Sequence, residues 1–475
     1  MREFAIIGGG IGGCSAAALL NHAKKDVVLF EKEPYLGGCA STFAHRGYRY
    51  NAGATTISGN SEGRVLKKLF DHIGATVDLI ETDPAIIIIQ KDRIIPRYRN
   101  KEKFLEALQR AYPHPKHAEF WELIHTIATE FYGCEGYYYS NGSFLKKLSS
   151  LCSFTPVLMK FWKYLMEDAK SFFNRFYGEI DPDYREFLDA QILIVAQAKS
   201  ESVNLLTAAL ALGYTFDACH YPLGGMGRVC ESLTENIGDI RLSSEIQSIE
   251  TLNDGYKLTT KKDTIYARNI VLGSSIFESK NMFKDDNIKQ YYQRFTPLNN
   301  HQSAFVVYLS IPQNRELSHH YQLISKEIFP HTLSNSLFVS VSDPDDALLS
   351  LKNTLSITAS IHTDSRFWMG LDENSYRIQK EELHALLLTW ICDTLCIDKG
   401  SVMQSFAATP KTFGRYLNRT QLGGIAMKKN HLLPFLPAND TPFRGLYQVG
   451  DTSFAAQGWP GVVMGSFNLM KVLNV

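Results

Sequence analysis

Three glycines near the start of the chain are spaced for binding a phosphate-bearing ligand. Gly8, Gly10 and Gly13 follow the apolar tetrad Phe4-Ala5-Ile6-Ile7 and precede the helical run Cys14–Leu20. In a strand–turn–helix unit the first glycine permits a tight turn and the second lets backbone approach a diphosphate. The third lets helix pack on strand. Ile11 and Gly12 complete the loop, and the N–H groups at the helix start can donate to phosphate oxygens. A second apolar segment, Asp26–Phe30, ends at Glu31, 18 residues beyond Gly13. A carboxylate there accepts from both hydroxyls of an adenosine ribose and repels a 2′-phosphate. These residues, with Lys32 beside the acid, describe a dinucleotide site.

The other reactive residue types show no comparable order. The eight cysteines include no Cys-x-x-Cys pair and no His/Cys metal spacing, so no metal is expected and a reducing compartment fits. Cys392 and Cys396 lie in the apolar run Leu386–Cys396 and read as core thiols. There is no Ser/His/Asp spacing, no His-Glu-x-x-His and no framed carboxylate pair, and none of the 14 histidines stands out. No catalytic side chain is assigned. Lys plus Arg and Asp plus Glu are equal at 49 each, which leaves no global field to recruit nucleic acid. The apolar fraction of 45% and charged fraction of 21% are those of a globular protein. Phe4–Ile7 already belongs to the fold, so no secretory signal is expected ahead of it. No apolar run nears the ~20 residues that cross a bilayer. The expected location is the cytoplasm, with a membrane surface as the variant.

Longer segments extend the reading. Pro34-Tyr35-Leu36-Gly37-Gly38-Cys39-Ala40-Ser41-Thr42-Phe43 and Gly47-Tyr48-Arg49-Tyr50-Asn51-Ala52-Gly53 follow the acid. Tyr221-Pro222-Leu223-Gly224-Gly225-Met226-Gly227 and Thr409-Pro410-Lys411-Thr412-Phe413 lie further on. Near the end stand Gly445-Leu446-Tyr447-Gln448-Val449-Gly450-Asp451-Thr452-Ser453-Phe454 and Gln457-Gly458-Trp459-Pro460-Gly461-Val462-Val463. Together they resemble the phytoene desaturase, carotenoid isomerase and retinol saturase group of flavoproteins, within the amine-oxidase-like superfamily. The likeness spans the whole length, in the middle only as isolated motifs. The Gly-Gly-Cys step and the 409–413 segment tilt it to the isomerase and saturase branch.

That resemblance implies FAD as the cofactor. It places Gly38, Cys39, Ala40, Gly53, Ala54 and Thr55 against FAD, and the backbone of Ile246 at the adenine. Gly450 and Asp451 would meet the ribityl-phosphate part, the carboxylate accepting a ribityl hydroxyl. Gly458, Pro460, Gly461 and Val462 would open the last helix, whose positive end faces the flavin pyrimidine edge. One departure is evident: the superfamily often has arginine after the Gly-Gly pair, where this chain has Cys39. Arg46, Arg49 or backbone N–H groups are the candidate substitutes, and Cys39 reads as a small residue packed beside the cofactor. Gly224-Gly225-Met226-Gly227 is too short for a second fingerprint and follows Tyr221-Pro222 rather than a strand. No NAD(P) site is therefore expected, and electrons would pass to oxygen, a quinone or a similar acceptor.

The elements needed to position these residues give an α/β fold. A Rossmann-type FAD-binding domain is expected from discontinuous segments, 1–78, 216–278 and 425–475, with an α+β substrate domain inserted as 79–215 and 279–424. Leu79–Tyr98 reads as a hairpin, Ala85–Gln90 turning into Ile94–Tyr98, and Phe104 to about Leu212 as helices. Short strands follow, then a helix around Lys380–Cys396 and a closing strand, Gly445–Val449.

The implied chemistry is desaturation, cis–trans isomerisation or saturation of an apolar isoprenoid or carotenoid-like polyene, a reaction that needs a long dry channel. Candidate walls are Ile86–Ile89, Ile94, Ile95, Tyr98, Phe305–Leu309 and Phe338, all of which also suit a β-core. After Pro156 one helical stripe carries Leu158, Phe161, Trp162, Leu165, Ala169, Phe172, Phe173 and Phe176, with Lys160, Lys163 and Lys170 opposite. It fits either a core-packing helix or one lying in a membrane interface. A flavin amine oxidase, with Trp459 in an aromatic cage, is the second reading. A non-catalytic FAD-binding redox sensor or assembly protein is the third.

Overall fold

The strand Arg2–Ile7 has its last four residues fully buried, a pattern that suits the middle of a parallel sheet covered on both faces. It pairs in parallel with Val27–Phe30 on one side and Thr264–Leu272 on the other. A computed structural model describes residues 1–431, 435–455 and 457–475. The sheet runs outward from Val27–Phe30 to the short strand Ile240–Arg241. On its other side the first half of Thr264–Leu272 takes the antiparallel pair Ser248–Leu252 and Gly255–Thr259. The second half takes Leu446–Gln448 in parallel. Strands from the start, middle and end of the chain thus meet in one sheet. The helix Ile11–His22 covers it, its Ala16, Ala17 and Leu20 in the same core as Val463 and Leu469 of the last helix, Gly458–Leu473.

A second sheet lies across the cavity described below. Its order is Gln404–Ala408, Gln302–Pro312, Thr354–Asp364, Thr332–Val341, His320–Ile324, Ile86–Gln90 and Arg93–Arg97. Every pair is antiparallel except His320–Ile324 with Ile86–Gln90. One face packs Phe305, Val307 and Leu309, with Trp368 of the helix Ser365–Gly370, against Leu383, Leu387 and Ile391 of the helix Glu373–Thr394. Beside the sheet stands a helical layer from Lys101–Ala111 to Leu205–Gly213, cored by Phe104, Trp121, Phe173, Phe187 and Leu212.

Four expectations change. Cys396, read as a core thiol, is exposed while Cys392 is buried. Leu79 does not start the hairpin: Leu79–Thr82 is a separate strand that pairs with Cys219–Pro222. The Gly224–Gly227 turn therefore does follow a strand and does open a helix, Gly227–Thr234. It is nevertheless filled by protein, since a Cβ on Gly225 would stand 2.5 Å from Thr42 Oγ1 and 2.8 Å from Asn51 Oδ1. Finally, the aromatic stripe is not one helix. It breaks into Thr155–Met166 and Ala169–Tyr177 because Asp168 caps the second, accepting from Ser171 N at 2.9 Å. The backbone at the break bonds to the neighbouring 203–205 segment (Leu205 N to Glu167 O, 2.8 Å).

Candidate functional site

The glycine loop is built as its spacing requires. Gly8 turns the chain at φ 103°, a value strained for any residue with a Cβ. A Cβ on Gly13 would sit 1.9 Å from Gly8 O, so helix and strand meet only because Gly13 has none. A Cβ on Gly12 would press on Gly450 N at 2.8 Å, which brings the loop beside the 450–451 turn. Gly10 is different. Its nearest atom beyond its own neighbours would be 3.9 Å from a Cβ, and the open side faces a cavity. No side chain caps the helix that follows, so its first N–H groups stay available.

Glu31 also holds the loop together. Its Oε2 accepts from Gly9 N at 2.7 Å and its Oε1 from Glu33 N at 2.8 Å. Burial pushes its carboxyl above the usual range, against the pull of those backbone donors. Gly37 N donates to Gly9 O at 2.7 Å and brings the turn Gly38–Ala40 onto the same loop.

A cavity of about 1100 Å³ opens here. Gly8, Gly10, Ile11, Gly12, Glu31, Lys32, Gly38, Cys39, Ala40, Gly53, Ala54, Thr55, Ile246, Gly450, Asp451, Gly458, Pro460, Gly461 and Val462 all line it. Gly13 stands behind the wall as packing. The last helix begins at Gly458, two residues earlier than its proline, and its N-terminus is part of this wall. Three polar atoms there are buried and have no protein partner among the described residues: Thr56 Oγ1, Gln457 Oε1 and Trp459 Nε1. Orphans of this kind are costly, and a bound ligand or water in the cavity would satisfy them.

The cavity continues between the second sheet and the helical layer. Val306, Phe338, Leu193, Leu206, Leu210 and Leu165 line that arm. Of the expected walls only Val306 and Phe338 are in it. Strand alternation turns Phe305, Val307 and Leu309 into the opposite core, Ile86, Ile88 and Ile95 join the core beneath the helices, and Ile94 is exposed. His362 also lines the arm, and burial pushes its imidazole down to about 4, so it is neutral near neutral pH. Leu151, Phe154, Val157 and Leu158 also line the cavity, and Leu151 and Leu158 are exposed at its rim.

The expected substitutes for an arginine at position 39 are elsewhere. Arg46 is exposed in a hairpin turn, and Arg49 donates to Leu348 O at 3.0 Å. Arg419, which no sequence spacing singled out, lines the cavity and bonds both oxygens of Asp451 through Nη1, at 3.0 and 3.2 Å. Burial pushes the Cys39 thiol up, which keeps it protonated and unreactive.

Residues 6–73 match the NAD(P)-binding Rossmann-like domain family. Across nearly the whole chain the sequence is similar to prolycopene isomerase of Daucus carota, 23% identical over 483 residues that cover 95% of this chain and 77% of that one. The chain is a relative of the carotenoid isomerases and desaturases. The carotenoid 3,4-desaturase of Haloarcula japonica is 23% identical over 73% of this chain and 70% of its own. Over 26% of this chain, and 22% of the relative, all-trans-retinol 13,14-reductase of Rattus norvegicus is 26% identical. Among solved structures a putrescine oxidase variant superposes with a TM-score of 0.66 at 14% identity, over 100% of this chain and 99% of that one. An oxidoreductase from Methanosarcina mazei reaches 0.63 at 16% identity, over 99% and 100%. The fold is thus that of the amine-oxidase-like enzymes, and the sequence kinship lies with the polyene group.

Proposed function

We propose that this chain is an FAD-dependent oxidoreductase acting on a long apolar polyene of the isoprenoid or carotenoid kind. One observation carries the reading: the dinucleotide cradle and an apolar arm form a single cavity of about 1100 Å³. Small-molecule sites span roughly 300–1,000 Å³, so the space suits a dinucleotide together with a second, greasy ligand.

The residues fit FAD. Glu31 keeps lone pairs for the ribose hydroxyls beyond its two backbone donors. The uncapped helix start at Gly10 suits the diphosphate, and Thr56, Gln457 and Trp459 offer unspent polar atoms. Ile246 would meet the adenine, Gly450 and Asp451 the ribityl chain, and the last helix the flavin ring. When bound, the flavin supplies a site for two-electron transfer. The chain's own part is to align the polyene in the arm, exclude water and present helix N–H groups to developing negative charge. Oxygen or a quinone is the proposed electron acceptor.

We place the substrate's entry at a lipid surface. The helices Phe144–Ser153 and Thr155–Met166 turn Phe144, Leu145, Met159, Trp162 and Met166 outward, Phe144 at 77% and Trp162 at 62% exposure. Leu151 and Leu158, exposed in the same patch, also line the cavity. The greasy surface is therefore the rim of the greasy arm. Lys147 and Lys163 flank it, as in interfacial helices. Denaturing the purified yellow protein and identifying the released cofactor and co-extracted lipid by mass spectrometry tests the reading. FAD with an isoprenoid is expected; FMN, or no flavin, contradicts it.

A further inference from the structure

Where the glycine loop meets the 450–451 turn, the wall is rich in acid. Asp451 lines the cavity there beside Gly450, whose backbone packs on Gly12, and Glu278 lines it too. A diphosphate would bring two further negative charges to this corner. The helix start that faces it carries only about half an elementary charge, too little to offset them.

Arg419 is the cation placed to do so. Its side chain is 11% exposed and sits in the cavity wall. Nε donates to Gln421 O at 2.7 Å, Nη2 to Gln421 Oε1 at 3.1 Å, and Nη1 to Asp451. Gln421 is itself tied by its amide nitrogen to Gly424 O and Leu422 O. Gly424 presses so closely on the 451 turn that a Cβ would stand 2.3 Å from Asp451 O. The guanidinium is thus fixed rather than free to swing. Nη2 has two N–H groups and, among the described residues, one bonded partner. Cys39 lies within electrostatic reach of both Arg419 and Asp451, from the turn that is bonded to the glycine loop.

We propose that Arg419 is the cofactor-binding cation of this cavity: it neutralises Asp451 and donates to the FAD diphosphate. The inference rests on the FAD reading above. A planar, permanently charged fork suits both tasks at once, holding a carboxylate on one edge and a phosphate on another. The segment that carries Arg419 comes from the end of the second sheet, so cofactor binding would also join the two sheets.

The test uses full-length protein freed of cofactor and titrated with FAD and, separately, with riboflavin, which has no phosphate. Arg419→Gln is expected to weaken FAD on the order of tenfold to a hundredfold and to weaken riboflavin, which meets Arg419 only through Asp451, much less. Arg419→Lys should fall between, and adding Cys39→Arg to Arg419→Gln should recover part of the loss. Equal weakening of both ligands would show that Arg419 only shapes the Asp451 turn, and overturns the proposal. So does unchanged FAD affinity in Arg419→Gln. Should the Gln variant fail to fold, Arg419→Lys alone decides by the same FAD-to-riboflavin comparison. A native protein that binds no FAD would instead remove the functional reading itself.

Discussion

Glu31 illustrates how one side chain can serve both fold and ligand. Its carboxylate fastens Gly9 and Glu33 while standing in the cavity wall. Because burial raises its pKa, the folded protein binds its proton more tightly than the unfolded chain does. That contribution to stability is full below the unfolded value and is lost as pH rises through the folded one. In cofactor-free protein, thermal unfolding followed from about pH 4 to 7 should therefore show a downward slope that Glu31→Gln flattens. Loaded with FAD, the same variant should bind the cofactor about tenfold more weakly, for want of a charged acceptor at the ribose. A Gln variant with unchanged slope and unchanged affinity would deny both roles. The glycine loop and its acid were legible because they act within one short stretch, residues 8 to 31, where spacing dictates contact. Arg419 was not, because it meets Asp451 across 32 positions and no periodicity links them.

At the scale of elements, the aromatic stripe after Pro156 shows what periodicity sees and misses. The apolar residues are there, but Asp168 stops the helix, and within the first piece itself only part of the stripe is covered. Phe161, Phe172 and Phe173 enter the core, while Leu158, Met159 and Trp162 stay outside with Phe144 and Leu145 of the preceding helix. The outward set spans two helices, so no single 3.6-residue stripe could display it. Channel walls were obscured for a related reason: alternation along Gln302–Pro312 decides that Val306 faces the cavity and Phe305 does not. If the outward patch seats in lipid, each large side chain that leaves water contributes about 1.5–3 kcal/mol. Leu145→Glu with Trp162→Glu should then abolish co-flotation with anionic liposomes and leave FAD content unchanged. Lys147→Glu with Lys163→Glu should weaken it mainly at low salt, since surface attraction is screened within ~10 Å at 0.1 M. Absence of flotation by the native chain at low salt would leave the patch without a lipid role.

The molecule as a whole joins two chemistries in one cavity, a polar cradle on the first sheet and an apolar arm under the second. The strand pattern announced an α/β core, and the pieces that assemble its sheet lie far apart along the chain. The arm's depth depends on how the helices from Lys101–Ala111 to Leu205–Gly213 close over the second sheet, a long-range outcome that local pattern does not encode. Among the described residues no helix is long and apolar enough to cross a membrane. Fold likeness alone does not choose between amine oxidation and polyene chemistry. FAD-loaded protein, oxidised in one sample and pre-reduced in another, should therefore be mixed with an acyclic carotenoid in liposomes and, in parallel, with putrescine. Chromatography of the polyene and absorbance of the flavin are read together. The structure predicts that the polyene is desaturated, saturated or isomerised in at least one redox state and that the amine leaves the flavin band intact. Bleaching by putrescine, with the polyene unchanged in both samples, would contradict it.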